Sequence, residues 1–257
     1  MSIDARASGR ELLRLHVNNL LSRPYRSSHY NVNVFNAIKR ISTLTNKKLI
    51  CFEFGASGGE LGAQLVASGV ANSYLGCEIN DVAVVHAKSK GICLIKNSAE
   101  GVIKSKSKLI STFNTFVYAD VLEHLVDPWE HLCQLSKRIN PGSYIVVSIP
   151  CFFHHSNLSN LGSYDFRYEE WGVMDLTHLR HFGIRNMLEM LELAGFAEMA
   201  AIKPVPAFDP QGLNLYNSNK DRLPVEIKLG NLGINVHSHD QLLQICSYQF
   251  IICAVKK

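Results

Sequence analysis

The sequence predicts an α/β fold built on a doubly wound, mostly parallel sheet. Three observations predict it. An apolar run over residues 49–54 leads into a glycine cluster, Gly55, Gly58 and Gly59, and a helix-periodic segment with Leu61, Leu65 and Val66 follows. That order reads as buried strand, tight turn, helix. Strand-like and helix-like stretches then alternate over residues 49–150, as parallel strands with crossover helices require. Finally, Glu78 closes the second apolar run, roughly 20 residues beyond the glycines, where an acid can accept both hydroxyls of a ribose.

The elements follow in order. Leucines at helical spacing make residues 11–21 a helix, which Pro24 ends. Residues 32–44 carry Val34, Phe35, Ile38 and Ile41 on one helical face, and Tyr25, His29 and Tyr30 stand between the two helices. Strands are expected over 49–54, 71–79, 91–95, 112–118, 143–149, 196–203 and 249–255, a sheet of seven. Residues 129–139 supply the helix before the fifth strand, and Asn140-Pro-Gly142 is the turn that follows it. Residues 184–194 form a helix that stops at Gly195.

Two stretches break the rhythm. Residues 151–183 hold Phe152, Phe153, Tyr164, Phe166, Tyr168 and Trp171 together with His154, His155, His178 and His181. A long loop-like insert after the fifth strand borders the ligand in this architecture and reads as the substrate platform; a surface excursion with its own aromatic cluster is the plainer alternative. Residues 204–244 contain Pro204, Pro206, Pro210 and Pro224 and several asparagines, and read as loop, cap or subunit contact. The chain thus divides into N-terminal helices (1–46), a core with its insert (47–203) and a cap region with the last strand (204–257).

Composition narrows the class. A chain of 257 residues suits one large domain with an embellishment. A net charge of +4 supplies no nucleic-acid stripe. The N-terminus lacks the apolar core of a signal peptide, and no stretch is long enough to span a bilayer, so a cytoplasmic location is expected. The seven cysteines form no Cys-x-x-Cys pair and read as buried, reduced thiols.

The run Glu53-x-Gly55-x-Ser57-x-Gly59 resembles the first motif of class I S-adenosylmethionine-dependent methyltransferases, acid-x-Gly-x-Gly-x-Gly. Glu78 matches that family's ribose-binding acid, and Asp120-Val-Leu-Glu-His-Leu-Val-Asp-Pro128 and Asn140-Pro-Gly142 resemble its fourth-strand segment and the turn before the fifth strand. The match runs over residues 30–203; Ser57 departs from it, where the family usually has glycine. The resemblance implies a Rossmann-like sheet and S-adenosylmethionine as cofactor. It assigns cofactor contacts to Glu53, Gly55, Ser57, Gly59, Glu78, Ile79, Asn97, Ser98, Ala99 and Asp120. Leading helices in this family often lie over the cofactor or substrate.

Methyl transfer from a sulfonium depends on in-line positioning. A hydroxyl acceptor must also lose its proton, either to a histidine or through coordination to a divalent metal. Asp120, Glu123 and His124 share one face if they open a helix, and His178 and His181 are again one turn apart. The catalytic candidates are therefore His178, His181 and His124. The acid-x-x-Glu-His segment resembles two metal-using branches, ubiquinone-pathway O-methyltransferases and small-RNA terminal 2′-O-methyltransferases. That likeness implies a metal set of Asp120, Glu123, His124 and His178, although side chains of such segments also serve without a metal. The insert, with Asp175-x-Thr-His-Leu-Arg180 before Phe182, looks most like methyltransferases of bacterial surface-polysaccharide pathways. The leading expectation is an O-methyltransferase acting on a small hydroxylated acceptor, a sugar or sugar conjugate, and able to form oligomers. An RNA ribose 2′-O-methyltransferase is the second reading, though no basic, aromatic-interleaved channel supports it. A non-catalytic binding module of the same fold is the third.

Overall fold

The structure is a computed structural model and describes His16, Asn18, residues 31–105 and residues 108–257. Apart from His16 and Asn18, the expected helix over 11–21 and the residues Tyr25, His29 and Tyr30 lie outside the described residues.

The elements are α1 (Val32–Thr45), β1 (Leu49–Phe54), α2 (Glu60–Ala67), β2 (Ala71–Glu78), α3 (Asp81–Ser89), β3 (Leu94–Lys96), α4 (Ala99–Lys104), β4 (Thr115–Ala119), α5 (Pro128–Ser136) and β5 (Tyr144–Pro150). After these come α6 (His155–Gly162), α7 (Ile184–Leu193), β6 (Phe196–Glu198), β7 (Val205–Phe208), α8 (Pro210–Asn219), β8 (Val225–Leu229), β9 (Leu232–Val236), α9 (His239–Cys246) and β10 (Ser247–Lys256). The strand order is β3-β2-β1-β4-β5-β10-β6, the predicted seven, with the short β7 as an eighth strand also on β10. Strands β1 to β5 pair in parallel, and β10 runs antiparallel to β5, β6 and β7. The order reverses between β1 and β4. Ligands of open α/β sheets sit at such a switch point, outside the carboxyl ends of the strands.

Alternation along the strands sends side chains to two separate cores. Phe52, Phe54, Phe116, Tyr118, Ile145 and Val147 pack with Val102 and Ile103 of α4, Leu132 and Leu135 of α5, and Met187 and Met190 of α7. Cys51, Val117, Val146, Ile251 and Cys253 face α1 and α2, which contribute Val34, Ile38, Ile41, Leu61 and Leu65. With both faces covered, these strands read as near-continuous apolar runs, which is why the sequence announces them.

Four local expectations need correction. The third and fourth strands start later than predicted, at Leu94 and Thr115, because a 3₁₀ turn over Lys108–Thr112 takes up part of the apolar run before β4. The stretch 196–203 holds only the short β6, since a turn closed by Ile202 N–H to Met199 C=O follows it and β7 begins beyond, at Val205. The insert is not all loop. Its segment His155-Ser-Asn-Leu-Ser-Asn-Leu-Gly162 forms α6 despite weak helical propensity. A Cβ at Gly162 would lie 2.8 Å from Leu232 Cβ, so this helix packs tightly on β9. The loop-rich stretch 204–244 in fact holds β7, α8, the β8–β9 hairpin and α9, around a third core of Ile227, Val236, Leu242, Ile245 and Cys246. All seven cysteines are free thiols; five are buried, but Cys93 is exposed and Cys133 half-buried. Among the described residues no helix is long and apolar enough to cross a membrane.

Candidate functional site

The glycine turn after β1 is built for close approach. Gly55 has φ +65°, and a Cβ there would lie 2.7 Å from Val121 Cγ2. Only glycine combines that backbone with that clearance. Ser57 follows with φ +48°, a left-handed backbone that the family's usual glycine would adopt without strain. Its N–H donates to Glu78 Oε2 at 2.8 Å, and Ala56 N–H donates to Cys77 C=O, so the turn is tied to the end of β2. Gly59 opens α2 with no side-chain cap, which leaves the first helical N–H groups to other partners.

Glu78 organises its surroundings. Its other oxygen, Oε1, accepts from Ile79 N–H and Asn80 N–H, both at 2.8 Å. Burial raises its carboxyl above the ordinary range, and the three amides of Asn80, Ser57 and Ile79 oppose that rise. Three of its roughly four lone-pair sites are taken, and Oε2 keeps one for a ribose hydroxyl. Asn97 donates its N–H to Glu78 C=O at 3.1 Å, and its Oδ1 accepts from Ser98 N–H. Ser98 caps α4, which Ala99 begins. The expected contacts at 55–59, 78–79 and 97–99 therefore lie around the carboxyl ends of β1, β2 and β3.

Glu53 departs from that group. It is buried within β1, and its Oε2 accepts the Tyr74 hydroxyl proton. Burial pushes its carboxyl up to about 8, against the lowering effect of Tyr74. The Tyr74 ring fits because residue 62 is glycine; a Cβ there would come within 2.3 Å of the ring. Nothing in the sequence singles out Tyr74, since its partner lies on another strand.

At the end of β4 the backbone turns sharply. Asp120 has φ +57°, and its Oδ1 accepts from Ser148 Oγ at 3.2 Å and from Gln249 Nε2. Desolvation raises its carboxyl to about 6, while Ser148 and Gln249 favour the charged form. The next segment is a 3₁₀ turn, Leu122–His124. The expectation that Asp120, Glu123 and His124 share one helical face is therefore not met. Asp120 precedes the turn, its carboxylate is committed to β5 and β10, and it drops out of the metal set.

Glu123, His124 and His178 do converge, with candidate ligand atoms within 4.8 Å of one another. The insert brings His178 there. Leu179 N–H and Arg180 N–H donate to Glu123 C=O at 2.9 and 3.1 Å, and Arg180 Nη2 donates to Val126 C=O. His124 Nδ1 lies 3.0 Å from Thr177 C=O, and His178 Nδ1 lies 3.0 Å from Val173 C=O. A carbonyl only accepts, so both Nδ1 atoms carry protons. The two rings meet edge to face with centroids 4.8 Å apart. Glu123 is almost wholly buried, and neither carboxyl oxygen has a hydrogen-bond partner among the described residues. Burial holds its carboxyl well above the ordinary range, with repulsion from Asp120 adding to it. Thr177 and Asp175 support the site from behind: Asp175 Oδ1 accepts from Thr177 N–H and Thr177 Oγ. His16 Nε2 lies 3.1 Å from His124 C=O. A carboxyl beside two imidazoles is a donor set that suits a borderline divalent metal.

His181 stands outside this triad. Its ring lies 6.4 Å from that of His178 and packs with Phe152 and Tyr168. Burial lowers its basicity, and His178 lowers it further. Around it Phe153, Phe166, Tyr168 and Trp171 are exposed.

The methyltransferase domain model matches residues 27–200. The chain belongs to the methyltransferase domain family. S-adenosylmethionine is the methyl donor this membership brings. The match spans the switch-point site and the whole insert, and ends before β7. No curated protein matches the methyltransferase. Among solved structures it is similar to a plantazolicin methyltransferase in complex with a triazolic desmethylPZN analog and SAH, with a TM-score of 0.57 and 13% identity, covering 96% of this chain and 99% of that one. A possible histamine N-methyltransferase from Thermotoga maritima gives TM-score 0.53 at 13% identity, covering 96% and 95%. Magnesium protoporphyrin IX methyltransferase from Synechocystis PCC 6803 with bound SAH gives 0.53 at 11%, covering 99% and 90%. At such identities the likeness is one of fold.

Proposed function

We propose that this methyltransferase transfers the methyl group to a hydroxyl of a small acceptor, a sugar or sugar conjugate. The observation that carries the reading is the meeting of His124 and His178, each with Nδ1 held by a carbonyl, beside the end of β4. In this reading Gly55, Ser57, Gly59, Glu78 with Ile79, Asn97 with Ser98 and Ala99, and Asp120 hold the donor, with Glu78 on the ribose. Glu53 acts through Tyr74 and the turn.

The acceptor oxygen attacks the methyl carbon opposite sulfur, the carbon–sulfur bond breaks, and S-adenosylhomocysteine leaves. The hydroxyl proton passes to His178 Nε2, and His124 orients the pair. A positioned base of this kind contributes about 10²–10⁴-fold. The exposed aromatics beside His181 offer faces to the C–H surfaces of a sugar ring.

A second reading keeps the same acceptor but adds a metal. The orphaned carboxyl of Glu123 favours it. Glu123, His124 and His178 would hold the ion, which when bound lowers the hydroxyl pKa.

The test is transfer of labelled methyl from S-adenosylmethionine to a panel of nucleotide sugars and oligosaccharides, with amines and short RNAs as comparators. Label on a sugar hydroxyl, with turnover lost in His178→Ala and donor affinity retained, supports the proposal. Label on nitrogen, or on RNA alone, rejects it. Loss of activity with a chelator, restored by manganese, selects the metal form.

A further inference from the structure

Two histidines of the insert have no place in the methyl-transfer site. His154 and His155 stand at the start of α6, and their rings are 4.0 Å apart. Both face Asp209, which caps α8 in the C-terminal segment. His155 Nε2 lies 3.3 Å from Asp209 Oδ1, and His154 Nε2 lies 3.6 Å from the same oxygen. Candidate ligand atoms of all three residues lie within 4.8 Å of one another.

His155 Nε2 is hydrogen-bonded to Asp209 Oδ1, but hydrogen bonding does not account for His154. His154 is 4% exposed, yet its Nε2 has no hydrogen-bond partner among the described residues. Its other nitrogen, Nδ1, is 2.8 Å from Ser156 Oγ, which can accept a hydrogen bond from Nδ1–H in the tautomer that leaves Nε2 with a lone pair. A buried imidazole nitrogen aimed at a carboxylate, without a bond, is an uncompensated cost. Two imidazoles at 3.3 and 3.6 Å from one carboxylate oxygen are spaced like ligands of one ion. With metal–ligand bonds of about 2.0–2.2 Å, a tetrahedron has edges of roughly 3.3–3.6 Å. Imidazole nitrogens select zinc and its neighbours over magnesium or calcium.

We infer that His154, His155 and Asp209 form a second site, binding one zinc-class divalent ion, with water in the fourth position. The ion fastens the start of α6 to the start of α8, residues 54 apart in the chain. Closing so long a loop restrains the unfolded chain and holds the insert to the C-terminal segment. The inference is independent of which acceptor is methylated.

The test uses the full chain, stripped of metal and titrated first with Co²⁺ and then with Zn²⁺. The expected result is one equivalent of cobalt at this site, with the visible absorption of a four-coordinate nitrogen–oxygen site, displaced by zinc. Loss of a supporting partner costs a metal site about 10–100-fold in affinity, so loss of a ligand should cost no less. His154→Ala, His155→Ala and Asp209→Asn should each show that fall, and His178→Ala should not. Asp209→Asn retains an oxygen for Gly212 N–H, so it removes the charge without removing the helix cap. Zinc should raise the melting temperature of the parent chain and not of Asp209→Asn, with circular dichroism without metal confirming that each variant is folded. Unchanged affinity in all three variants, or no binding at micromolar metal, overturns the assignment.

Discussion

Tyr74 on β2 hydrogen-bonds through its hydroxyl to Glu53 on β1, in the space that Gly62 of α2 leaves open. The pair locks the strand that feeds the glycine turn to its neighbour. Tyr74→Phe strands a buried carboxyl and should destabilise the fold by about 1–3 kcal/mol in urea unfolding. Gly62→Ala should cost a similar ~1–3 kcal/mol, by forcing the ring to move.

The same carboxyl makes stability depend on pH. Glu53 shifts from 4.5 to about 8 on folding, so between those values the folded state holds a proton that the unfolded chain has released. Its contribution is therefore full below pH 4.5 and is lost as pH rises through about 8. His131, pushed down to about 4 by burial, works in the opposite direction but only below pH 6.5. Unfolding free energy should fall from about pH 6.5 to 8, and Glu53→Gln should flatten that slope. An equal slope in both proteins counts against the shift.

Glu78→Ala should weaken S-adenosylmethionine binding by about 1–3 kcal/mol in calorimetry, through lost hydrogen bonds to a charged group. It also frees the amides of Ser57, Ile79 and Asn80. Glu78→Gln separates the two effects, because its amide oxygen still accepts from some of those donors. Full affinity in both variants removes Glu78 from the ribose.

Glu123→Gln distinguishes the two forms of the mechanism. Burial keeps this carboxyl protonated well above the ordinary range, so glutamine closely mimics its neutral state. With His178 as base, turnover should stay within an order of magnitude. With a metal, which needs the ionised carboxylate, turnover should collapse and manganese dependence should disappear.

The parallel core was legible because doubly buried strands and a glycine turn leave signals within a few residues of each other. The insert was legible as a location but not as a structure. Helix α6 has only Leu158 and Leu161 as apolar anchors, and it forms against a hairpin encoded about 70 residues later. Glu123, His124 and His178 were named from the sequence and do meet, but Asp120 was assigned to them on a helical spacing that a 3₁₀ turn replaces. Gln249, Ser148, Tyr74 and Asp209 were missed, since each acquires its role from a partner on a distant strand or helix. His154 and His155 were noticed only as histidines of the insert, and their meeting with Asp209 was not legible, for the same reason.

The position of β10 constrains the order in which the chain can be finished. Strands β6 and β7 pair only with β10, and Gln249, which holds Asp120 at the switch point, lies on β10 itself. On a ribosome that adds roughly 5–20 residues per second, the first five strands can assemble while β6 and β7 wait without a sheet. Their backbone groups stay open to wrong partners until β10 emerges and slides between β5 and β6. Asp120 thus gains its Gln249 partner only once β10 has joined the sheet.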